Sequence, residues 1–224
     1  MLSILSTPIG NLKDITVRGL ETLKACTVIA CEDTRVTGQL LMLLELPKKE
    51  LVSVHSYSDP ARVDALIHRL KKGEHVCLVS DAGTPCISDP GYLLVSKARE
   101  AGIKSEVIPG ASAFLAALSA SGLPINAFRY LGFLPVKKGR QTLLKTLLTE
   151  EDTVVFYESP HRILKTLSEL AAVLAEQPSR KLSVSRELTK MHEETLMTTV
   201  GELSEFVKTL KVKGEFVVVL DGNR

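Results

Sequence analysis

His75-Val76-Cys77-Leu78-Val79-Ser80, running directly into Asp81-Ala82-Gly83-Thr84-Pro85-Cys86-Ile87-Ser88-Asp89-Pro90-Gly91, is the stretch that decides the fold. The first six residues form an apolar, β-rich run of the kind that fills the middle of a parallel sheet covered on both faces. The next eleven can be neither helix nor sheet. Gly83 and Gly91 permit backbone conformations that a Cβ forbids, and Pro85 and Pro90 fix φ and remove donors. Asp89 and Pro90 read as N-cap and first residue of a helix that continues through LLVSKAREA and stops near Gly102. In an open α/β sheet the crevice at the carboxyl ends of the strands is the usual ligand site, so this loop is a candidate for one. A tight surface turn is the other reading of the same residues.

Outward from that stretch, short apolar runs alternate with amphipathic ones. Strands are expected near Leu2 to Leu5, Val28 to Ala30, Leu51 to Val54, Val76 to Ser80 and Glu106 to Ile108. Asp14 or Thr16 can cap the first helix, and ARVDALIHRLKKG carries an apolar face and ends at Gly73. This βαβ rhythm predicts a mostly parallel sheet with right-handed crossovers. Gly122-Leu123-Pro124-Ile125-Asn126 interrupts the rhythm, which places a domain boundary there: residues 1–120, then 121–224. The second half alternates differently, with strands at Tyr130 to Phe133, Thr153 to Tyr157, Lys181 to Arg186, Glu194 to Val200 and Glu215 to Leu220. Its helices are expected at 138–149, 160–175 and 201–210. KLSVSRE and ETLMTTV, joined by a short connector, read as an antiparallel pair in a smaller mixed α/β domain.

Bulk properties narrow the function. The 224 residues are 45% hydrophobic, enough for a substantial core, and no apolar run reaches the roughly 18 residues of a membrane span. The start, MLSILSTPIGN, has no basic n-region, so a cytoplasmic protein is expected. Cys26, Cys31, Cys77 and Cys86 show no CxxC pairing, which predicts buried thiols and no structural metal. A net charge of +2 is far from the balance of proteins that grip nucleic acid over their whole surface. Any polyanion must be met locally, by Lys137, Lys138, Arg140 and Lys145 or by the smaller groups at Lys48 and Lys49, Lys71 and Lys72, and Lys208, Lys211 and Lys213.

Three further segments stand at strand ends. Ser6-Thr7-Pro8-Ile9-Gly10-Asn11 follows the first strand but lacks GxGxxG, and no Walker A sequence occurs. Glu32-Asp33-Thr34-Arg35 follows the second; it is either an orienting network or a cap, with Asp33 or Thr34 capping a helix and Arg35 pairing nearby. Val155-Phe156-Tyr157-Glu158-Ser159-Pro160-His161-Arg162 runs from a buried strand to a helix with Ser159 as N-cap and Pro160 as its first residue. Glu158 and His161 are candidates for proton transfer, although a lone His at a helix start is commonly structural.

Taken in order, STPIGNLKDIT, EDTR, SDAGTPxISDPG, PGASA, GFLP, FYESPHR, SRELTK and KGEFVVVL closely resemble the tetrapyrrole-methylase superfamily, specifically its branch that acts on ribosomal RNA. The resemblance spans nearly the whole chain. It implies a two-domain class III methyltransferase-like α/β fold with S-adenosylmethionine in an interdomain cleft and no metal. It further implies 2′-O-methylation of a decoding-region cytidine in 16S rRNA of the small ribosomal subunit, and a homodimer. By the same resemblance Pro8 and Ile9 line one side of the cofactor, Asp81, Gly83 and Thr84 hold its amino-acid end, and Ser112 and Ala113 approach from PGASA. Tyr157, Ser185 and Phe216 would close over adenine and methionine, and Glu158 or His161, with Glu32, Asp33 and Arg35 organising the opposite wall, would take the proton. Relatives carry a His-rich stretch where this chain has Val54-His55-Ser56-Tyr57-Ser58-Asp59. The alternatives are a tetrapyrrole carbon methyltransferase, against which EDTR and YESPHR argue, and a non-catalytic S-adenosylmethionine-binding regulator.

Overall fold

The computed structural model describes residues 1–54 and 60–224, so His55 to Asp59 lie outside the described residues. The chain divides into two compact units, Met1–Ser112 and Ala113–Arg224. In the first, β1 (Leu2–Leu5), β2 (Val28–Cys31), β3 (Glu50–Ser53), β4 (Val76–Leu78) and β5 (Ser105–Ile108) form one sheet in the order β3-β2-β4-β1-β5. Every pairing in it is parallel, as the unbroken apolar runs predict. Both faces are covered. Leu2, Val28, Ala30, Val76 and Leu78 pack with α3 (Pro60–Lys71) and α4 (Tyr92–Glu100), while Leu5, Ile29, Cys31 and Cys77 pack on the other side with α1 (Val17–Ala25) and α2 (Thr34–Leu43). Thr16 caps α1 by accepting the Gly19 N–H at 2.9 Å, while Asp14 ends the 3₁₀ turn before it. Cys26, Cys31 and Cys77 are buried and Cys86 is half-buried, all four as thiols. None of the described helices is long and apolar enough to cross a membrane.

The second unit carries a mixed sheet of β6 (Phe128–Phe133), β7 (Thr153–Glu158), β8 (Lys181–Arg186), β9 (Glu194–Thr199) and β10 (Phe216–Leu220) in the order β6-β7-β10-β8-β9. β8 and β9 pair antiparallel, as their short connector predicts. One face packs on α6 (Arg140–Thr146), α7 (Ile163–Val173) and α8 (Leu203–Thr209) through a core that includes Leu144, Phe156, Leu167, Val184, Leu203, Phe216 and Val218. The other face carries α5 (Ala113–Ala120), which lies against β7 and β10. That small-residue helix, which the sequence reading assigns to the first domain, therefore packs with the second unit.

Two helix starts differ from expectation. α4 begins at Tyr92 with Gly91 as N-cap at φ 124°, so Asp89 and Pro90 are loop residues. The chain turns at Gly91 because a Cβ there would stand 2.9 Å from Leu78 Cδ2 and 3.2 Å from Cys86 Sγ. α7 begins at Ile163, after a turn in which Ser159 O accepts from both Arg162 and Ile163 N–H. Ser159 is not its cap: Arg162, at φ −123° and outside helical space, is the residue from which α7 starts.

Gly91→Ala combines a left-handed φ with that clash. It should lower stability by about 1–3 kcal/mol or more, read from the midpoint of chemical denaturation, whereas an unchanged midpoint would show the loop free to re-form without the glycine.

Candidate functional site

In the first unit the chain leaves β2 toward one edge of the sheet and β4 toward the other, and a crevice opens between strands that diverge in this way. The segments Glu32–Arg35 and Ser80–Thr84 both stand there. The Asp33 N–H donates to Asp81 Oδ1 at 3.1 Å. Thr7 and Gly83 form a two-bond bridge, at 2.8 and 3.1 Å, that ties the segment after β1 to the loop after β4. Thr84 Oγ1 reaches Ser6 Oγ at 2.9 Å and donates to Ala111 O at 3.2 Å, which brings in the PGASA segment. Gly83 sits at φ 84°, and a Cβ on it would meet Ile9 at 3.3 Å. The structure thus assembles Pro8, Ile9, Asp81, Gly83, Thr84 and the residue preceding Ser112 at one end of the parallel sheet. Ala113 opens α5 in the second unit.

Of the two readings of EDTR, capping is what is observed. Asp33 caps α2 by accepting the Arg35 N–H at 2.8 Å, and its carboxylate pairs with the Arg35 guanidinium at 2.6 Å. That guanidinium holds the Asp33 carboxyl down to about 2. The Arg35 side chain is 89% exposed, so the pair is a surface one.

Asp89, read from sequence only as a helix cap, is the crevice's unusual acid. Burial, then the nearby Glu32 and Asp81 carboxylates, push it up to about 6 against a hydrogen bond from Ser80. A tertiary meeting of three acids leaves no local signal in sequence. Among the described residues no group of His, Cys, Asp and Glu is placed to hold a metal ion.

In the second unit Glu158, at the end of β7, is fully buried and both its oxygens are occupied. Oε1 accepts from the Ser159 N–H at 2.8 Å and faces Arg162 Nη2 at 2.7 Å; Oε2 accepts from Thr166 Oγ1 at 2.7 Å and faces Arg140 Nη1 at 3.9 Å. Arg140 donates in turn to Thr166 Oγ1, Glu169 and Pro135 O, and Arg162 to Leu134 O. Arg140 is 4% exposed, so it is a structural cation and not the polyanion contact expected from its basic neighbourhood. His161 is exposed on the turn before α7, while Lys137 and Lys138 are exposed ahead of α6.

The register settles which way the second unit's candidates face. Tyr157, Val217 and Ser185 stand side by side across β7, β10 and β8, and Ser185 Oγ meets Thr195 Oγ1 at 2.9 Å. Phe216 pairs with Glu158 and Arg186 one position along, so its ring points to the opposite face, 1% exposed in the helix-covered core. Only its backbone can serve a ligand, and Val217 is the side chain beside Tyr157 and Ser185.

A family model described as Tetrapyrrole (Corrin/Porphyrin) Methylases matches residues 1–204. The chain belongs to this family. It is 47% identical over 226 residues to ribosomal RNA small subunit methyltransferase I of Escherichia coli O157:H7, covering 100% of this chain and 78% of that protein. The protein of the same name from Thermotoga maritima is 42% identical, with 99% and 98% covered. Among solved structures, uroporphyrin-III-C-methyltransferase from Thermus thermophilus superposes with a TM-score of 0.64 at 24% identity, over 97% of this chain and 93% of that one. This last likeness is one of fold, and the family membership accounts for a parallel and a mixed sheet in succession.

Two consequences can be measured. Removing the Glu158 carboxylate takes away the partner of Arg162 and the acceptor of the Ser159 N–H and the buried Thr166 hydroxyl, so Glu158→Ala should cost about 3–5 kcal/mol in denaturant unfolding, and a loss under about 1 kcal/mol would mean the cluster is ornamental. Asp89 binds its proton more tightly folded than unfolded, so its stabilisation is complete below about pH 4 and vanishes as pH rises through about 6. Asp89→Asn should flatten the melting temperature between those pH values and melt above the parent at pH 7; an unchanged slope would refute the burial assigned to it.

Proposed function

We propose that the chain methylates the ribose 2′-hydroxyl of a cytidine in the decoding region of 16S ribosomal RNA, with S-adenosylmethionine as donor. The observation that carries this reading is identity of 42–47% across essentially the whole chain to proteins named for small-subunit rRNA methylation. The porphyrinoid enzymes share the fold at far lower identity, and a shared fold does not fix a substrate.

The first unit suits the donor in two respects. The bridge at Thr7 and Gly83 presents backbone where a side chain would obstruct, and the carboxylates of Asp81 and Asp89 complement an ammonium and a sulfonium. When bound, S-adenosylmethionine supplies a methyl group on a positively charged sulfur. In this reading Asp81, Gly83 and Thr84 hold its amino-acid end, Pro8 and Ile9 line one side, Ser112 and Ala113 approach from PGASA, and Tyr157, Ser185 and the backbone at Phe216 close over adenine and methionine. Holding the hydroxyl in line is the larger task.

The hydroxyl also needs a proton acceptor during attack, a contribution of about 10² to 10⁴-fold. With both oxygens taken, Glu158 serves by positioning Arg162 and the turn that presents His161. His161 remains a proton acceptor in this reading, and Asp89 joins it as the carboxyl tuned nearest to neutrality. Asp33 steadies Asp81 through its N–H and Glu32 stands near Asp89, while Arg35 serves through its surface pair with Asp33. The small ribosomal subunit is the partner, which places the protein in the cytoplasm, and a homodimer would widen the RNA surface beyond what one chain of charge +2 offers.

The test is to incubate the protein with labelled S-adenosylmethionine and small ribosomal subunits from cells lacking this activity, then map the label by nuclease digestion and mass spectrometry. Label on one decoding-region cytidine ribose is expected. Label on a porphyrinoid and not on RNA, or donor binding with no transfer at all, would replace the reading with a carbon methyltransferase or a regulator.

A further inference from the structure

β6 carries an irregularity with a specific result. Tyr130 lies opposite Val155 and Phe133 opposite Tyr157, so three steps on β6 match two on β7. The extra residue is accommodated at Gly132, at φ 61°. With regular alternation Phe133 would fall on the face opposite Tyr130. The bulge instead turns Phe133 onto the Tyr157 side, while Leu131 and Leu134 both remain with the core.

A continuous aromatic series results: Phe128 to Phe114 with ring centroids 6.2 Å apart, Phe114 stacked on Tyr130 at 4.5 Å, Tyr130 edge-on to Tyr157 at 5.6 Å, and Phe133 tilted against Tyr157 at 5.5 Å. The series is not buried at its end. Phe133 is 56% exposed and Val136 is 68% exposed. Leaving a phenylalanine half in water at the end of a strand forgoes roughly 1 kcal/mol of burial, yet the backbone beyond it is fixed firmly. Arg162 holds Leu134 O at 3.0 Å and Arg140 holds Pro135 O at 3.1 Å, the first guanidinium set by Glu158 and the second by Glu169 and Thr166. Immediately after come Lys137 and Lys138, both exposed and bound to no carboxylate among the described residues. A rigid exposed ring beside a pair of cations is the arrangement that receives an unstacked base and its phosphate.

We propose that Phe133 is a stacking platform for a base of the single-stranded RNA substrate, with Lys137 and Lys138 meeting the adjoining phosphates. This rests on the rRNA reading for its ligand. Two variants test it. Phe133→Ala removes a half-exposed ring outside the buried core cluster, and Phe133→Trp preserves the π-face while introducing a tryptophan into a chain that has none.

The Phe133→Ala enzyme should show KM for small ribosomal subunits raised about 5- to 150-fold with donor binding unchanged, and Phe133→Trp should restore it. Titrating Phe133→Trp with a short single-stranded oligoribonucleotide should quench its emission. Lys137→Glu with Lys138→Glu should lower the salt dependence of that binding by a slope of roughly 1.4. Emission unchanged at saturating oligonucleotide, or subunit KM unaltered in Phe133→Ala, would overturn the proposal. So would conversion of a dimer to a monomer by Phe133→Ala with RNA binding intact, since a second copy would then be what covers the ring. If the parent protein methylates no RNA, the functional reading fails by itself, and the quenching titration still decides whether the platform takes a base.

Discussion

One buried carboxylate organises the second unit. Glu158 stands at the end of a central strand, and four groups from three segments converge on it: the Ser159 N–H, Thr166 on α7, Arg162 on the intervening turn and Arg140 on α6. An unpaired charge at such a depth would cost several kcal/mol, so the arrangement persists only because every lone pair is met. Its reach extends further than its own contacts. The two arginines pass the constraint to the Leu134 and Pro135 carbonyls, and so to the path of the chain as it leaves β6. A residue with the credentials of a proton acceptor in sequence is, in three dimensions, the fixed point from which the neighbouring surface is hung.

The first unit prepares a ligand surface by different means. Among the described residues its loops are held by backbone, through the Thr7–Gly83 bridge, and by the hydroxyl contacts among Ser6, Thr84 and Ala111. With the loops fixed by peptide groups, the carboxylates of Asp81 and Asp89 are left close together with Glu32. Burial and their proximity raise the Asp89 pKa, and Arg35 is spent on Asp33 at the surface. Such a crevice has a standing preference for a cation.

Much of this was legible in the sequence, for reasons that particular residues make clear. The parallel sheet followed from apolar runs such as HVCLVS, whose lack of alternation means burial on both faces, and the β8–β9 pair from a connector too short for a crossover. What failed was anything set by a third element. Pro90 and Pro160 each follow a good capping residue, yet neither begins a helix: α4 starts from Gly91, which passes close to Leu78 and Cys86, and α7 starts from Arg162, outside helical space. Phe216 was named with Tyr157 and Ser185 as closing over the donor, and strand parity across β10 turns its ring into the core and sets Val217 beside Tyr157. Arg140 looked like one of a solvated basic group, and its bonds to Glu169, Thr166 and Pro135 O make it a core residue. Asp89 carried no signal, since its character comes from acids 57 and 8 positions away in sequence, at Glu32 and Asp81.

These failures share a form that bears on how the fold is reused. The motifs FYESPHR and GFLP look like two ligand-facing loops in sequence, but the ion cluster joins them into one mechanical unit: YESPHR supplies the anchor and GFLP the surface it steadies. The surface can then diverge while the anchor is kept. A ring at position 133 is more than half exposed and stands outside the buried core, so its replacement would leave the buried charges satisfied and the core closed. Substitution at Glu158, Arg140 or Thr166 would not. A fold that keeps its charged scaffold and varies the side chains projecting from it can present flat aromatic surfaces of different shape to different planar ligands without refounding its core.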